Sequence, residues 1–136
     1  MQVDNLILEK CIGKGKFGEV YKTIIKGVKK CYDTKRYERD KIEKSHHMKY
    51  LENEISILRK LKHPNIIKLY DIKKTKKHFY LVTEYCNGGE LKNALENYQL
   101  KYGKAFPEDL VQYFMRQIIS AFKYIHNQGM MHRDIK

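Results

Sequence analysis

The first part of the chain carries short apolar runs separated by glycine, a pattern typical of strands joined by turns. Residues 6–8 are Leu-Ile-Leu, and apolar residues return at residues 20–21 and 24–25. Three glycines lie between these runs, and Lys-Gly at residues 26–27 is typical of a hairpin turn. The pattern therefore predicts mainly strands over the first 35 residues.

The pattern becomes helical after residue 41. Apolar residues recur there every three or four positions, at Met48, Leu51, Ile55, Leu58 and Leu61. This spacing places them on one face of an amphipathic α-helix. The helix is expected to end before Pro64, because the residue before a proline is disfavoured in the helical conformation.

Two strands and two helices are predicted after Pro64. Residues 66–72 and 79–85 have the composition of strands, and a lysine-rich turn at residues 73–77 separates them. Asn-Gly-Gly at residues 87–89 breaks the pattern, and helices are expected at residues 91–98 and from Pro107 onward. Strands with one helix, followed by helices, indicate an α+β fold.

Composition and charge restrict the class of protein. The chain has 136 residues, with 28 Lys and Arg against 16 Asp and Glu, a formal charge of +12. A hydrophobic content of 42% supports a core and argues against wholesale disorder. No apolar run approaches the roughly 18 residues of a membrane helix, and the N-terminus lacks a signal-peptide pattern. Neither a membrane span nor secretion is expected.

The cysteines and the charge bear on location and partners. Cys11, Cys31 and Cys86 are odd in number and widely spaced, so a disulfide framework is not expected and a reducing, cytoplasmic location is. A charge of +12 suits a nucleic acid, a membrane surface or an acidic partner. Nucleic-acid binding is not expected, because the sequence lacks a recognition motif and a basic stripe with aromatic residues.

Residues 13–18, Gly-Lys-Gly-Lys-Phe-Gly, match the pattern G-x-G-x-x-G. The glycines alone are as compatible with an ordinary turn as with a phosphate-binding loop. A dinucleotide-binding fingerprint would open a helix, and the phosphate loop G-x-x-x-x-G-K-S/T is absent. A second strand is predicted here instead, and protein kinases use such a strand–glycine loop–strand flap to cover the phosphates of ATP.

The chain resembles the eukaryotic protein kinases, because further motifs follow in that family's order. They are Tyr-Asp-Thr-Lys at residues 32–35, in the place of Val-Ala-Ile-Lys, Asn-Glu-Ile at 53–55, His-Pro-Asn-Ile at 63–66, a hinge-like run at 80–91 and His-Arg-Asp-Ile-Lys at 132–136. The resemblance covers nearly the whole chain but about half of a kinase domain. It implies a small lobe over residues 1–86, with a five-stranded antiparallel sheet and one helix. Residues 87–136 would be the end of the hinge and an incomplete helical large lobe.

The resemblance implies an ATP site on the flap, on one strand and at the hinge. Its residues are Ile12, Gly13, Lys14, Gly15, Lys16, Phe17, Gly18, Val20, Lys35, Thr83, Glu84, Cys86 and Glu90. Backbone amides of residues 14–18 would cover the phosphates, and Ile12 and Val20 would enclose the adenine. Lys35 would hold the α- and β-phosphates.

The hinge end of the implied ATP site reads the adenine and the ribose. Backbone groups of Glu84 and Cys86 would bind the adenine edge, and Glu90 would meet the ribose. Thr83 would guard the back of the pocket, where its small side chain should admit bulky inhibitors.

The residues implied for catalysis are Asp134, Lys136, Lys35 and Glu54. Asp134 would act as the base that accepts the proton of the substrate hydroxyl. Lys136, two residues later, matches the serine/threonine-directed kinases and would contact the transferred phosphate. Glu54 would orient Lys35 through an ion pair.

Alternatives remain for two of these residues. Lys30 is the main alternative to Lys35, but it lies only 12 residues after Gly18, which is short for the hairpin that the family has there. Lys35 also has the character of a solvated lysine in a basic stretch, and Glu54 that of a surface glutamate on an amphipathic helix.

The sequence departs from the family at Asp33, where kinases usually have alanine packed on the adenine ring. Asp33 precedes Lys35 by two residues on a predicted strand and so shares its face. A desolvated carboxylate there is costly. Asp33 is expected to weaken ATP binding, and pairing with Lys35 in competition with Glu54 is one way to do so.

The family's magnesium ligands, an asparagine and an Asp-Phe-Gly motif, would follow Lys136. ATP and Mg²⁺ are the implied cofactors, and serine and threonine hydroxyls of proteins the implied substrates. The 136 residues alone are expected to be a partial sequence without significant kinase activity. A pseudokinase or a truncated scaffold that binds nucleotide or a partner is the alternative function. Within the family, the hinge looks most like autophagy-initiating and calcium/calmodulin-type kinases.

Overall fold

A computed structural model describes residues 1–15 and 18–135 and shows an antiparallel sheet followed by helices. Its strands are β1 (Gln2–Val3), β2 (Leu6–Gly15), β3 (Gly18–Ile25), β4 (Cys31–Glu38), β5 (Leu69–Lys74) and β6 (His78–Glu84). Its helices are α1 (Arg39–Lys44), α2 (Met48–Lys60), α3 (Leu91–Tyr102) and α4 (Glu108–Asn127). The α+β class predicted from the sequence is confirmed.

The sheet has one strand more than the prediction. Its order within the described residues is β1-β2-β3-β4-β6-β5, because the two-residue strand β1 pairs with the start of β2. Helix α1 was also not predicted. Residues 39–44 contain a single apolar residue, Ile42, which is too little for a periodic signal.

Two predicted bounds move by several residues. Strand β5 begins at Leu69 rather than at residue 66, because residues 63–66 pack elsewhere. Helix α3 continues to Tyr102 and ends where Gly103 adopts a left-handed φ of 67°. A glycine in this conformation is a common helix terminator.

The chain forms two compact units. The first comprises Met1–Lys62 and Ile67–Tyr85, and the second comprises His63–Ile66 and Cys86–Lys136. The sheet and helices α1 and α2 therefore belong to the first unit, and helices α3 and α4 to the second.

Two apolar clusters form the core of the first unit. One consists of Leu6, Leu8, Tyr32, Tyr80 and Val82, and the other of Tyr37, Ile42, Leu51, Phe79 and Leu81. Successive residues of β6 enter different clusters, because successive side chains of a strand point to opposite faces of the sheet. Helix α2 covers the second cluster with Leu51, and Ile55 and Leu58 pack beside it. This packing places α2 against the sheet face that carries the odd-numbered residues of β4 around Tyr37.

The second unit is held by polar and aromatic contacts. His63 Nε2 lies 3.1 Å from the hydroxyl of Ser120, and the Asn65 amide donates to Gln117 Oε1 at 2.9 Å. These bonds fasten residues 63–66 to α4. The ring of Phe106 joins α3 to α4 through contacts with Tyr98 and Phe114. None of the helices in the described part of the chain combines the length and apolar character needed to cross a membrane.

Candidate active site

Strands β2 and β3 form the hairpin that carries the glycine pattern. The register pairs Gly13 with Val20 across the hairpin. Gly15 pairs with Gly18 at the tip. Lys16 and Phe17, both predicted to bind nucleotide, lie outside the described residues. The predicted strand–glycine loop–strand flap is therefore present.

The three glycines of the flap differ in how closely they pack. A Cβ on Gly18 would overlap the carbonyl oxygen of Arg36 and lie 2.8 Å from its carbonyl carbon. Glycine at this position lets β3 approach the backbone of β4. A Cβ on Gly13 or Gly15 would instead make ordinary contacts, at 3.7 and 3.8 Å. Contacts with the described residues therefore demand glycine at the third position of the pattern and not at the first two.

Glu19 ties the flap to the neighbouring strand. Its carboxylate accepts a 2.7 Å hydrogen bond from the Tyr21 hydroxyl and forms ion pairs with Arg36 and, at 3.5 Å, with Lys14. The Tyr21 hydrogen bond and the Arg36 cation lower the pKa of Glu19. The ammonium of Lys14, a predicted nucleotide-binding residue, is thus paired with Glu19 of the same hairpin.

Lys35 and Glu54 form the ion pair that the sequence predicted. Lys35 Nζ lies 3.2 Å from Glu54 Oε1, and the pair joins strand β4 to helix α2. Lys30, the alternative lysine, instead donates to the Tyr70 hydroxyl at 2.7 Å. The structure therefore favours Lys35 over Lys30.

Tyr37 belongs to this site and was not predicted. Its hydroxyl donates to Glu54 Oε2 at 2.7 Å, and Lys35 Nζ lies 4.9 Å from the centre of its ring. Burial raises the pKa of Tyr37, and the hydrogen bond to Glu54 raises it further. The sequence held one signal of this role, because Tyr37 follows Lys35 by two residues and so shares its face of the strand.

A cavity of about 470 Å³ in the first unit is lined by seven of the predicted site residues, five of them on the flap together with Lys35 and Glu54, whereas Ile12, Thr83 and the predicted hinge residues are not part of its lining. Its walls are Gly13, Lys14, Gly15, Gly18, Val20, Lys35, Tyr37, Ile42, His47, Tyr50, Leu51 and Glu54. The flap glycines, the lysine and the glutamate thus surround one space. Its cationic group and glycine wall suit the phosphate end of a nucleotide.

Asp33 lies on the sheet face that carries Lys35 and Tyr37, nearer the start of strand β4. In the ladder it stands opposite Lys22 on β3 and Thr83 on β6. Its Oδ1 atom is buried without a hydrogen-bond partner among the described residues, and burial raises the pKa of this carboxyl. No ion pair joins Asp33 to Lys35 in the described structure, where Lys35 pairs with Glu54. The competition considered from the sequence is therefore not observed.

The predicted catalytic loop lies in the second unit. The Asp134 amide donates to His132 Nδ1 at 3.2 Å, and the His132 ring contacts that of Phe122. Arg133 adopts a positive φ of 64°. This conformation is costly for a residue other than glycine, at about 1–3 kcal/mol, and such strain often accompanies function. Lys136 lies outside the described residues.

Comparison with protein-family models identifies the family of this chain. The family model described as the protein kinase domain matches residues 6–136. The chain belongs to the protein kinase family.

Several serine/threonine kinases are similar to this kinase chain. It is 37% identical over 134 residues to serine/threonine-protein kinase AtPK1/AtPK6 of Arabidopsis thaliana. It is 40% identical over 125 residues to calcium-dependent protein kinase 5 of Plasmodium falciparum, and 35% identical over 136 residues to cell division control protein 7 of Schizosaccharomyces pombe. These matches cover 98%, 92% and 100% of the chain but 28%, 21% and 12% of the relatives. The chain thus spans less than a third of each of them.

Four site residues predicted from the kinase resemblance remain. Ile12 lies on strand β2 and is 46% exposed, and the other three belong to the predicted hinge. Glu84 ends strand β6, and its amide donates to the Lys68 carbonyl at 2.9 Å, so this amide is not available to a ligand. Cys86 and Glu90 are exposed in the second unit, where the Glu90 carbonyl accepts from the Ala94 amide at the start of α3.

Kinases generally use ATP with Mg²⁺. Lys35 and the flap glycines provide a cation and a glycine wall on one cavity. No group of three or more His, Cys, Asp or Glu residues that could hold a metal ion occurs within residues 1–15 and 18–135. We therefore assign no described residue to Mg²⁺.

Proposed function

We propose that this chain forms the nucleotide-binding part and the start of the catalytic loop of an ATP-dependent serine/threonine protein kinase. The observation that carries the proposal is the Lys35–Glu54 ion pair on the wall of the cavity that the flap glycines also line. A surface lysine without a role in binding is not expected to line the same cavity as three glycines of a hairpin.

The reaction transfers the γ-phosphoryl group of ATP to a serine or threonine hydroxyl of a protein. In the proposal, Lys35 neutralises charge on the α- and β-phosphates, and Glu54 fixes the direction of its ammonium. Asp134 accepts the proton of the attacking hydroxyl, and Lys136 contacts the transferred phosphate. Magnesium, when bound, neutralises further phosphate charge.

Binding of a fluorescent ATP analogue to this chain tests the proposal. Lys35→Met should weaken binding about tenfold or more, because a charge-assisted contact to phosphate is lost. Lys30→Met removes the same charge at a site where the ammonium bonds to Tyr70, and it should leave the affinity nearly unchanged. Equal affinities of the wild type and the Lys35 variant would contradict the assignment.

The alternative is a nucleotide-binding or partner-binding chain without catalysis. Asp33 favours it, because its Oδ1 atom is buried without a hydrogen-bond partner within the described structure and a polar group of this kind opposes adenine binding. Transfer of labelled phosphate by the product of the whole reading frame separates the two functions. ATP binding without transfer would support the alternative. Inactivity of the 136 residues alone, and a cytoplasmic location, stay predictions.

A further inference from the structure

We propose that Tyr37 is a positioning residue that fixes the Glu54 carboxylate and, through it, Lys35 for binding of a nucleotide's phosphates. The inference rests on the proposed function, because it concerns the same lysine. It adds a residue to the site that neither the kinase motifs nor the family match assigns.

The Glu54 carboxylate is held from two sides. Lys35 Nζ lies 3.2 Å from Oε1, and the Tyr37 hydroxyl donates to Oε2 at 2.7 Å. Lys35 Nζ also lies 4.9 Å from the centre of the Tyr37 ring, within reach of a cation–π contact. The three side chains thus form a closed set in which Tyr37 touches both partners of the ion pair.

The two contacts to Glu54 differ in rigidity. The side chains of Lys35 and Glu54 are 45% and 39% exposed, and an ion pair this exposed is weakened by water and by the entropy of two long side chains. Tyr37 is only 4% exposed and packs in the cluster of Ile42, Leu51, Phe79 and Leu81. The buried Tyr37 hydroxyl therefore holds the Glu54 carboxylate in position more firmly than the exposed Lys35 ammonium does.

This arrangement matters once phosphates are present. Phosphate oxygens compete with Glu54 for the Lys35 ammonium, and an ion pair alone would then loosen. The Tyr37 hydroxyl keeps the carboxylate in place, because it donates to the other oxygen. The Tyr37 phenol is protonated and can donate at neutral pH, as tyrosine ordinarily is, and burial together with Glu54 raises its pKa further.

Tyr37→Phe tests the role, because it removes the hydroxyl and keeps the buried ring. Binding of ATP and of adenosine to the full 136-residue chain is measured by calorimetry. The affinity for ATP should fall about threefold to tenfold, less than the full worth of a hydrogen bond to a charged group, because the lost bond acts on the phosphates only through Glu54 and Lys35. The affinity for adenosine, which carries no phosphate, should stay the same. Tyr32→Phe is the matched control, because Tyr32 is a buried tyrosine of the same strand in the other apolar cluster.

A double-mutant cycle separates positioning from a general structural role. In a Glu54→Gln background, Tyr37→Phe should have little further effect on ATP affinity, because the charged acceptor is already lost. An effect that persists there at full size overturns the inference, as does an equal loss of ATP and adenosine binding.

Hydrogen exchange gives a readout that needs no ligand. Tyr37→Phe should speed exchange of the amides around Glu54 in helix α2 several-fold, whereas Tyr32→Phe should not. Unchanged exchange overturns the inference. If the wild-type chain binds neither ATP nor adenosine, the proposed function fails, and the exchange rates alone then decide whether Tyr37 positions Glu54.

Discussion

Asp33 on strand β4 stands directly opposite Thr83 on strand β6. The two side chains share one face of the sheet, because directly paired residues of antiparallel strands point the same way. One of them brings a small hydroxyl, and the other brings a carboxyl whose Oδ1 atom is buried without a partner in the described part of the chain. At this position of the candidate site, Thr83 therefore contributes a small side chain and Asp33 contributes a polar one.

Asp33→Ala should tighten binding of ATP severalfold, because it removes a desolvated carboxyl from the face that is proposed to meet the nucleotide. Titration of the fluorescent ATP analogue measures the change. Asp40→Ala, an exposed acidic residue of helix α1, is the matched control and should bind as the wild type does. A weaker or unchanged affinity of the Asp33 variant would place the carboxyl outside the nucleotide's reach.

Asp33→Ala should also change how the free energy of unfolding depends on pH. Burial raises the pKa of Asp33 in the folded state, so the folded chain binds more protons than the unfolded chain between the ordinary value, about 4, and the raised one. Stability is therefore lost as the pH rises through this window. Asp33→Ala should raise the melting temperature at about pH 7, and the gain should vanish below about pH 4. A gain that is equal at both pH values would exclude ionisation as its cause.

Two fully buried threonines should respond to valine with opposite signs. Thr23 and Thr34 are both 0% exposed, but among the residues that the structure describes a hydroxyl partner is found for Thr23, the Tyr21 carbonyl at 3.3 Å, and none for Thr34. Thr34→Val should stabilise the fold by about 1 kcal/mol, because it removes an unsatisfied buried hydroxyl. Thr23→Val should destabilise it by about 1 kcal/mol through the lost hydrogen bond. Urea denaturation measures both, and a destabilised Thr34 variant would reveal a partner for that hydroxyl.

Gly18→Ala should destabilise the first unit by about 1–3 kcal/mol or more, because the added methyl group meets backbone atoms of Arg36 that cannot yield as a side chain can. Gly13→Ala adds the same group where the nearest described side chain is that of Val20, at 3.7 Å, and should cost much less. Denaturation midpoints compare the two. Similar losses at both positions would contradict the special packing of Gly18.

Thr83→Met should exclude a purine analogue that carries a bulky aromatic substituent, while ATP binding changes less. The prediction follows from the proposed place of Thr83 at the back of the adenine pocket, between Asp33 on β4 and Leu69 on β5 in the ladder. Competition against the fluorescent ATP analogue gives the affinity. If the analogue binds both proteins equally, Thr83 does not guard this pocket.

The part of the site that the kinase resemblance implies could be predicted from the sequence. The resemblance implied an ion pair between Lys35 and Glu54, which lie 19 residues apart, and the structure shows this pair. The hydrogen bond from Tyr37 to Glu54 depends on the distance between helix α2 and the sheet. The spacing of apolar residues along the sequence does not determine that distance. The need for glycine at residue 18 could not be predicted either, because it comes from the backbone of Arg36 on the neighbouring strand.

Short elements were missed for a different reason. Helix α1 has six residues and strand β1 has two, so each is too short for its hydrophobic pattern to repeat often enough to be recognised. Their formation depends on contacts made elsewhere. Ile42 of α1 enters the cluster of Tyr37 and Leu51, and β1 pairs with the start of β2.

The second unit is discontinuous in sequence, since it includes His63–Ile66 as well as Cys86–Lys136. The backbone therefore passes between the units three times, and no single peptide bond separates them. A protease cut between Tyr85 and Cys86 would leave the bonds from His63 to Ser120 and from Asn65 to Gln117 joining the two products. The nicked chain should then behave as a complementing pair of fragments and not as two independent domains.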